Sequence, residues 1–203
     1  MKLLGVDASP YVRKVRIVLE EKRIPYEYVQ ARPSLPESPV PQFNPLAKIP
    51  VLVTDKGKGI YDSPVIVEYL DGLVAEPRLI PTELEARTDV KRWEALGDGV
   101  ADATVAISHE RRKADANQDG PEWFKKQRLK IDRGLAAMAG ELGEREFCYG
   151  NRFSLADVAA GYALAYLDRA LSDFDWRASH PNLARLSERL DERVSFRRTV
   201  PQG

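Results

Sequence analysis

The chain has 203 residues, 43% of them hydrophobic, which is enough to bury a substantial core in one large domain or two small ones. Its 31 Lys and Arg residues balance its 31 Asp and Glu residues, which argues against nucleic acid or an anionic membrane surface as the main partner. A single cysteine, Cys148, excludes an internal disulfide and is typical of a reducing compartment, and two histidines leave no spacing of metal ligands.

The apolar runs of the chain are short. The one in the N-terminal segment MKLLGVDASP is too short for a signal peptide, and no later run approaches the roughly 20 apolar residues of a membrane span. We therefore expect a cytoplasmic protein with no membrane partner.

The first part of the chain alternates between strand and helix patterns. Residues 2–6 and 26–31 have the apolar character of short strands, and a helix is predicted between them from Pro10 to about Arg23. Five prolines interrupt residues 32–48, which leaves room for only a helical turn or two.

The next segment predicts a hairpin and a third helix. Residues 49–63 contain an apolar strand, an Asp-Lys-Gly-Lys-Gly turn and a short second strand, and residues 64–73 have helical spacing. Because a βαβ unit requires a parallel strand pair with a right-handed crossover, the order βαβ-α-ββα predicts a mixed four-stranded sheet flanked by helices.

Beyond residue 75 the patterns become helical. We expect residues 1–75 to form the α/β domain, residues 76–84, interrupted by Pro77 and Pro81, to form a linker, and residues 85–203 to form an all-helical domain. A first long helix carries Trp93 on its apolar face, and turn residues at 115–123 separate it from a second.

A serine-initiated helix in this half is predicted to be buried. Ser154 and Asp157 have the spacing of a capping box, and the helix that follows carries no charge from Val158 to Leu167. We expect it to lie at the centre of the helical domain, and Cys148 to be a buried spacer.

Two helices of the α/β domain begin with Ser-Pro, at Ser9-Pro10 and Ser63-Pro64. Serine is a preferred N-cap and proline is tolerated at the first helical position, so both serines are predicted N-caps. The N-terminus of a helix also favours a negative charge. Either these two helix N-termini have only a structural role, or they bind two negatively charged groups of one ligand.

Four segments, SPYVRKVRIVLEEK, NPLAKIPVLV, YDSPVIVEYLD and FSLADVAAGYALAYLD, stand in an order and at a spacing that resemble the cytosolic glutathione transferase superfamily. The Ser-Pro-aromatic start is most similar to serine-type enzymes such as the tau class and to a small bacterial branch. The resemblance implies a thioredoxin-like N-terminal domain followed by a helical-bundle C-terminal domain, with glutathione as co-substrate and no metal. It also implies a homodimer with the active site between the domains.

The resemblance implies that Ser9 contacts the glutathione thiol. A thiol with a pKa near 8.5 is only about 3% thiolate at pH 7, and lowering that pKa by about 2 units requires about 2.7 kcal/mol. A hydroxyl donor supplies roughly 1.5–3 kcal/mol and a helix N-terminus roughly 0.3–2 kcal/mol, so Ser9 has the required magnitude. The alternative is an ordinary N-cap. Since no cysteine stands at this position, thioredoxin or glutaredoxin chemistry is excluded.

The remaining glutathione contacts are also implied by the resemblance. Ile49 and Pro50 match the family's cis-proline, which would present the Ile49 main chain to the cysteinyl part of the peptide. Lys48 either meets the glycine carboxylate or is a solvated surface lysine. Ser63 would hold the γ-glutamyl carboxylate, and Asp62 stands where the family more often has Glu, so its role is open between ligand contact and turn residue.

The electrophile pocket is expected between Tyr11, the proline-rich loop and the first long helix of the C-terminal domain. Asp98 and Asp102 are four residues apart on that helix and share a face, either as a solvated surface or as a contact for the glutathione amino group.

These observations favour a glutathione S-transferase that stabilises the thiolate for attack on a small electrophile. One alternative is a regulatory protein of the same fold that acts through protein partners, since a fold alone does not fix an activity. Another is a glutathione-dependent isomerase or dehalogenase, for which the sequence offers no additional acid or base.

Overall fold

The structure, a computed structural model, describes residues 1–113 and 120–202, and the chain divides into two compact units. The first unit contains Met1–Ile80 together with Asp191–Gly203, and the second contains Pro81–Leu190. The first unit therefore extends further than the predicted residues 1–75 and also includes the C-terminal segment that the sequence grouped with the helices.

The first unit is built on a four-stranded sheet with the order β2-β1-β3-β4. Its strands are β1 (Lys2–Gly5), β2 (Glu27–Gln30), β3 (Val51–Val53) and β4 (Gly59–Ile60). β1 pairs in parallel with β2 and antiparallel with β3, and β3 pairs antiparallel with β4. The predicted mixed sheet is confirmed.

Three helices accompany the strands: α1 (Pro10–Glu21), α2 (Val40–Phe43) and α3 (Ser63–Leu73). α1 forms the crossover between the parallel strands, and its apolar positions Val12, Val15 and Leu19 are fully buried, as the 3.6-residue spacing predicted. The proline-rich segment contributes only the single turn of α2, because its prolines cannot donate the hydrogen bonds of a longer helix.

A buried ion pair explains why the first unit extends to Ile80. The Lys22 ammonium group donates to the Asp71 carboxylate at 2.8 Å and to the Pro77 carbonyl at 2.9 Å. The same carboxylate accepts the backbone N–H groups of Leu79 and Ile80 at 2.9 and 3.1 Å. The first part of the predicted linker is thereby fixed to α3.

The last helix, α8 (Val194–Arg198), packs on α1. Arg193 pairs with Glu21 at 2.9 Å, and the Arg13 guanidinium lies 5.9 Å from the centre of the Phe196 ring. These contacts account for the inclusion of the C-terminal segment in the first unit.

The second unit contains α4 (Leu84–Arg111), α5 (Gly120–Leu142), α6 (Leu155–Ala170) and α7 (Pro181–Asp191). α6 is buried along most of its length, as predicted, and approaches α4 closely: a Cβ on Gly97 would lie 2.7 Å from the Ala159 carbonyl oxygen. Most of the predicted break at 115–123 lies outside the described residues. Among the helices described, none has the length and apolar character needed to cross a bilayer.

Candidate functional site

The strand register brings three predicted glutathione contacts to one edge of the sheet. Leu4 of β1 is opposite Val51, and Leu52 is opposite Ile60 of β4. Because β3 runs antiparallel to both neighbours, β1 and β4 end at the edge where β3 begins. The Ile49-Pro50 segment precedes β3, α1 follows β1, and α3 follows β4, so the N-termini of two helices lie at this edge.

Ser9 is the N-cap of α1. Its backbone is extended (φ −78°, ψ 124°), its Oγ accepts the Val12 N–H at 3.3 Å, and its carbonyl accepts the Arg13 N–H at 3.1 Å. Ser9 is partly exposed, and Pro10 occupies the first helical position. A hydroxyl can donate one hydrogen bond while it accepts others. Serving as the N-cap and donating to a thiolate are therefore compatible roles.

The turn before Ser9 is held by Asp7, which the sequence analysis did not identify. The Asp7 carboxylate accepts from the Arg16 guanidinium at 2.7 Å and from the Gln30 amide at 2.9 Å. Arg16 also lies 4.8 Å from the centre of the Tyr28 ring. Burial raises the pKa of the Tyr28 phenol, and the Asp7 carboxylate acts in the same direction.

The loop before β3 has the predicted cis bond between Ile49 and Pro50. Ile49 packs its side chain against the buried apolar cluster that includes Leu4 and Val51, which leaves its main chain at the sheet edge. Lys48 is exposed. Asn44, 2% exposed, donates to the Lys48 carbonyl at 2.9 Å.

The start of α3 differs by one residue from the prediction. Asp62 is the N-cap, with extended backbone (φ −92°, ψ −161°), because its carbonyl accepts the first helical hydrogen bond, from Ile66 N–H at 3.0 Å. Ser63 is the first helical residue, and Pro64 is the second, where an N–H would also lack a helical partner. The prediction of Ser63 as N-cap is wrong. Ser63 is buried and Asp62 is exposed.

The other candidate side chains lie elsewhere in their units. Tyr11 is partly exposed on α1. Asp98 of α4 accepts a hydrogen bond from the Tyr162 hydroxyl of α6, and Asp102 is exposed one turn further along α4. Trp93 lies in the core, as predicted.

Cys148 is fully buried, which confirms the prediction of a buried spacer. Burial raises the pKa of its thiol, and the nearby Asp157 carboxylate acts in the same direction. The thiol is therefore held in its unreactive protonated form. In the part of the chain that the structure describes, no three His, Cys, Asp or Glu side chains form a group that could hold a metal ion.

A mixed sheet whose edge combines a cis-proline loop with two helix N-termini, accompanied by a helical unit, defines a thioredoxin-like protein of the glutathione transferase type. Residues 3–78 match the family model described as "Glutathione S-transferase, N-terminal domain", and residues 121–189 match the one described as "Glutathione S-transferase, C-terminal domain". The chain belongs to the glutathione S-transferase superfamily.

Relatives in bacteria and plants match nearly the whole chain. An uncharacterised GST-like protein of Escherichia coli, YibF, is 37% identical over 99% of this chain and 98% of its own length. Glutathione S-transferase U8 of Arabidopsis thaliana is 32% identical over 93% of this chain and 83% of its own length. The crystal structure of a glutathione S-transferase from Methylobacillus flagellatus, with glutathione bound, is 45% identical with a TM-score of 0.94 and covers 99% of each chain.

Proposed function

We propose that this protein is a glutathione S-transferase in which Ser9 donates a hydrogen bond to the thiolate of bound glutathione. The observation that carries the proposal is the position of Ser9: it is a partly exposed N-cap, at the same sheet edge as the cis Ile49-Pro50 bond. Support also comes from the related Methylobacillus flagellatus transferase, which was solved with glutathione bound.

In the proposed reaction, the thiol releases its proton to solvent and the thiolate is stabilised by the Ser9 hydroxyl and the N-terminus of α1. The thiolate is the nucleophilic form of the sulfur. It attacks a small electrophile, forming a sulfur–carbon bond while the electrophile either expels a leaving group or accepts the electron pair into its own framework. The product is a glutathione conjugate.

The rest of the tripeptide is assigned to the same edge. The Ile49 main chain binds the cysteinyl part, Lys48 meets the glycine carboxylate, and the N-terminus of α3 holds the γ-glutamyl group through Ser63 and Asp62. Exposed Asp62 is suited to the γ-glutamyl amino group because its side chain makes no cap hydrogen bond. Because this chemistry needs glutathione as a thiol, we place the protein in the cytoplasm.

The electrophile is assigned to a surface that includes Tyr11, which follows Pro10 in the first turn of α1. The contact between Asp98 and Tyr162 favours a structural role for Asp98, and exposed Asp102 is a candidate for a substrate contact on α4.

The proposal is tested by calorimetric titration of glutathione into the wild type and into Ser63→Ala, with thiolate absorbance followed against pH. Loss of a hydrogen bond to a carboxylate costs about 1.5–3 kcal/mol, so we expect Ser63→Ala to weaken binding by about tenfold or more. The matched control is Ser187→Ala on α7, since both serines are 3% exposed. A wild type that does not bind millimolar glutathione would exclude the proposed function.

We further propose that the protein is a homodimer that associates through α3. Val65, Tyr69 and Leu73 are four residues apart on this helix and are between 38% and 51% exposed, so they form an apolar stripe on its outer side. Tyr69→Glu should convert the protein to a monomer in light-scattering measurements, because it places a charge in the middle of the stripe. A control at the exposed apolar residue Leu129 on α5, Leu129→Glu, should leave the molar mass unchanged.

A further inference from the structure

The Asn44 side chain closes the loop that leads to the cis-proline. Its amide nitrogen donates to the Lys48 carbonyl at 2.9 Å and its amide oxygen accepts the Leu46 N–H at 3.0 Å. The main-chain carbonyl of Asn44 accepts the Ala47 N–H at 2.9 Å, and the Asn44 N–H donates to the carbonyl of Val40, the first residue of α2, at 2.9 Å. One buried residue therefore fixes the loop at several points.

The loop has a conformation that needs such support. Ala47 has a φ of 49°, in the left-handed region that residues other than glycine, asparagine and aspartate rarely adopt. Ala47 lies between the Asn44 hydrogen bonds to Leu46 and Lys48. Without Asn44, we expect the backbone at Ala47 to relax towards a negative φ.

Fixing the Lys48 carbonyl also fixes the direction of the Ile49 N–H. The two groups belong to one planar peptide unit, and because this bond is trans they point in opposite directions. The Ile49 N–H makes no hydrogen bond to residues 1–113 or 120–202. The Ile49 side chain packs against the buried apolar cluster, which also restricts this residue.

We infer that Asn44 is a positioning residue for glutathione: by holding the Lys48 carbonyl, it aims the Ile49 N–H at the main-chain carbonyl of the cysteinyl residue. This inference rests on the proposed function of the same site. Asn44 should therefore increase the affinity for glutathione without contacting it. It should not stabilise the thiolate, which is the proposed role of Ser9.

Two variants test the inference, Asn44→Ala and Asn44→Asp. Both variants remove the amide donor to the Lys48 carbonyl. Asn44→Asp retains an oxygen that can accept the Leu46 N–H, and it adds a negative charge that Asn44→Ala does not. We expect both to weaken glutathione binding by about tenfold, the effect of one lost hydrogen bond, while the pKa of the bound thiol stays within about 0.3 units of the wild type.

Asn182 provides the matched control. Its amide nitrogen donates to the carbonyls of Ala139 and Gly143 at 2.8 and 3.0 Å, so Asn182→Ala and Asn182→Asp remove a comparable clamp from the second unit. These variants should bind glutathione as the wild type does. Equal weakening by the Asn182 variants would indicate general destabilisation and overturn the inference.

A measurement on the wild type can overturn the inference even if the Asn44 variants do not fold. On addition of glutathione, the Ile49 amide proton should move downfield in the NMR spectrum and exchange more slowly, whereas that of Leu129 on α5 should not change. Binding without a response of Ile49 overturns the inference, as does wild-type affinity in Asn44→Ala. Absence of binding in the wild type would instead remove the proposed function, and this inference with it.

Discussion

Helices α1 and α6 begin in closely similar ways. Ser9 accepts the Val12 N–H at 3.3 Å and Ser154 accepts the Ala156 N–H at 3.3 Å, so both serines cap their helices. The two starts differ in what surrounds the hydroxyl. Ser154 is buried and hydrogen-bonded to the Asp157 carboxylate at 3.1 Å, whereas Ser9 is partly exposed and the first turn of α1 contains no acidic residue.

This difference separates a cap that serves the fold from one that is available to a ligand. At Ser154 the hydroxyl hydrogen has an internal acceptor, and Asp157 also accepts the backbone N–H groups of Cys148 and Ser154 at 2.8 and 2.9 Å. At Ser9 the cap uses the oxygen as an acceptor, and no acceptor for the hydroxyl hydrogen lies among residues 1–113 and 120–202, so this hydrogen is available to a ligand. At the start of α6 the capping box provides the acceptor for the serine hydroxyl. At the start of α1 the proposed acceptor is the thiolate of glutathione.

The largest effect is expected from Asp157→Ala, which breaks the start of α6. Burial raises the pKa of the Asp157 carboxyl, while its hydrogen bonds to Cys148 and Ser154 oppose that shift. Removing the carboxylate leaves two buried N–H groups without their acceptor, at about 1–3 kcal/mol each, and part of this cost is offset because a buried charge is also removed. We expect a loss of about 2–4 kcal/mol in the free energy of unfolding, measured by denaturant titration.

The control for Asp157→Ala is Asp132→Ala in the same unit. Asp132 forms an exposed ion pair with Arg128 at 3.6 Å, which is worth about 0–1 kcal/mol. A loss no larger for Asp157→Ala than for Asp132→Ala would contradict the structural role of the capping box.

The sequence was most informative where the determining contacts are local. The two residues of the capping box, Ser154 and Asp157, are only three positions apart, and the cis-proline segment and the order of strands and helices along the chain were also predicted. Ser63 was misplaced by one position because Asp, Ser and Pro are all favoured at a helix start, so the residue types alone leave the register open.

Contacts between distant residues were not predictable in the same way. The Arg13 side chain meets Phe196, 183 residues later, and no periodicity in either segment signals that contact. Asp7 and Arg16 are nine residues apart and meet only because the chain reverses direction between β1 and α1. Asn44 is the first residue of the segment NPLAKIPVLV, yet the sequence does not indicate that its side-chain amide donates to the Lys48 carbonyl.

Ser9→Ala tests the start of α1. We expect a smaller loss in the free energy of unfolding than for Asp157→Ala, together with a change in the pKa of the bound thiol. The loss of the cap should lower the free energy of unfolding by about 1 kcal/mol. The lost donor should raise the pKa of bound glutathione by about 1–2 units, the equivalent of 1.5–3 kcal/mol, and this shift is measured by thiolate absorbance against pH.

The sign of the pH dependence distinguishes the two starts. Since Ser9 is proposed to stabilise the thiolate, the conjugation rate of Ser9→Ala should be lowest relative to wild type at pH values below both thiol pKa values. The deficit should disappear above them, where both proteins hold thiolate. Ser9→Thr keeps the hydroxyl and should restore most of the shift, whereas Ser154→Ala should reduce stability without changing the thiol pKa. A bound thiol that titrates identically in Ser9→Ala and wild type would make Ser9 an ordinary cap, and the two helix starts would then differ only in their exposure.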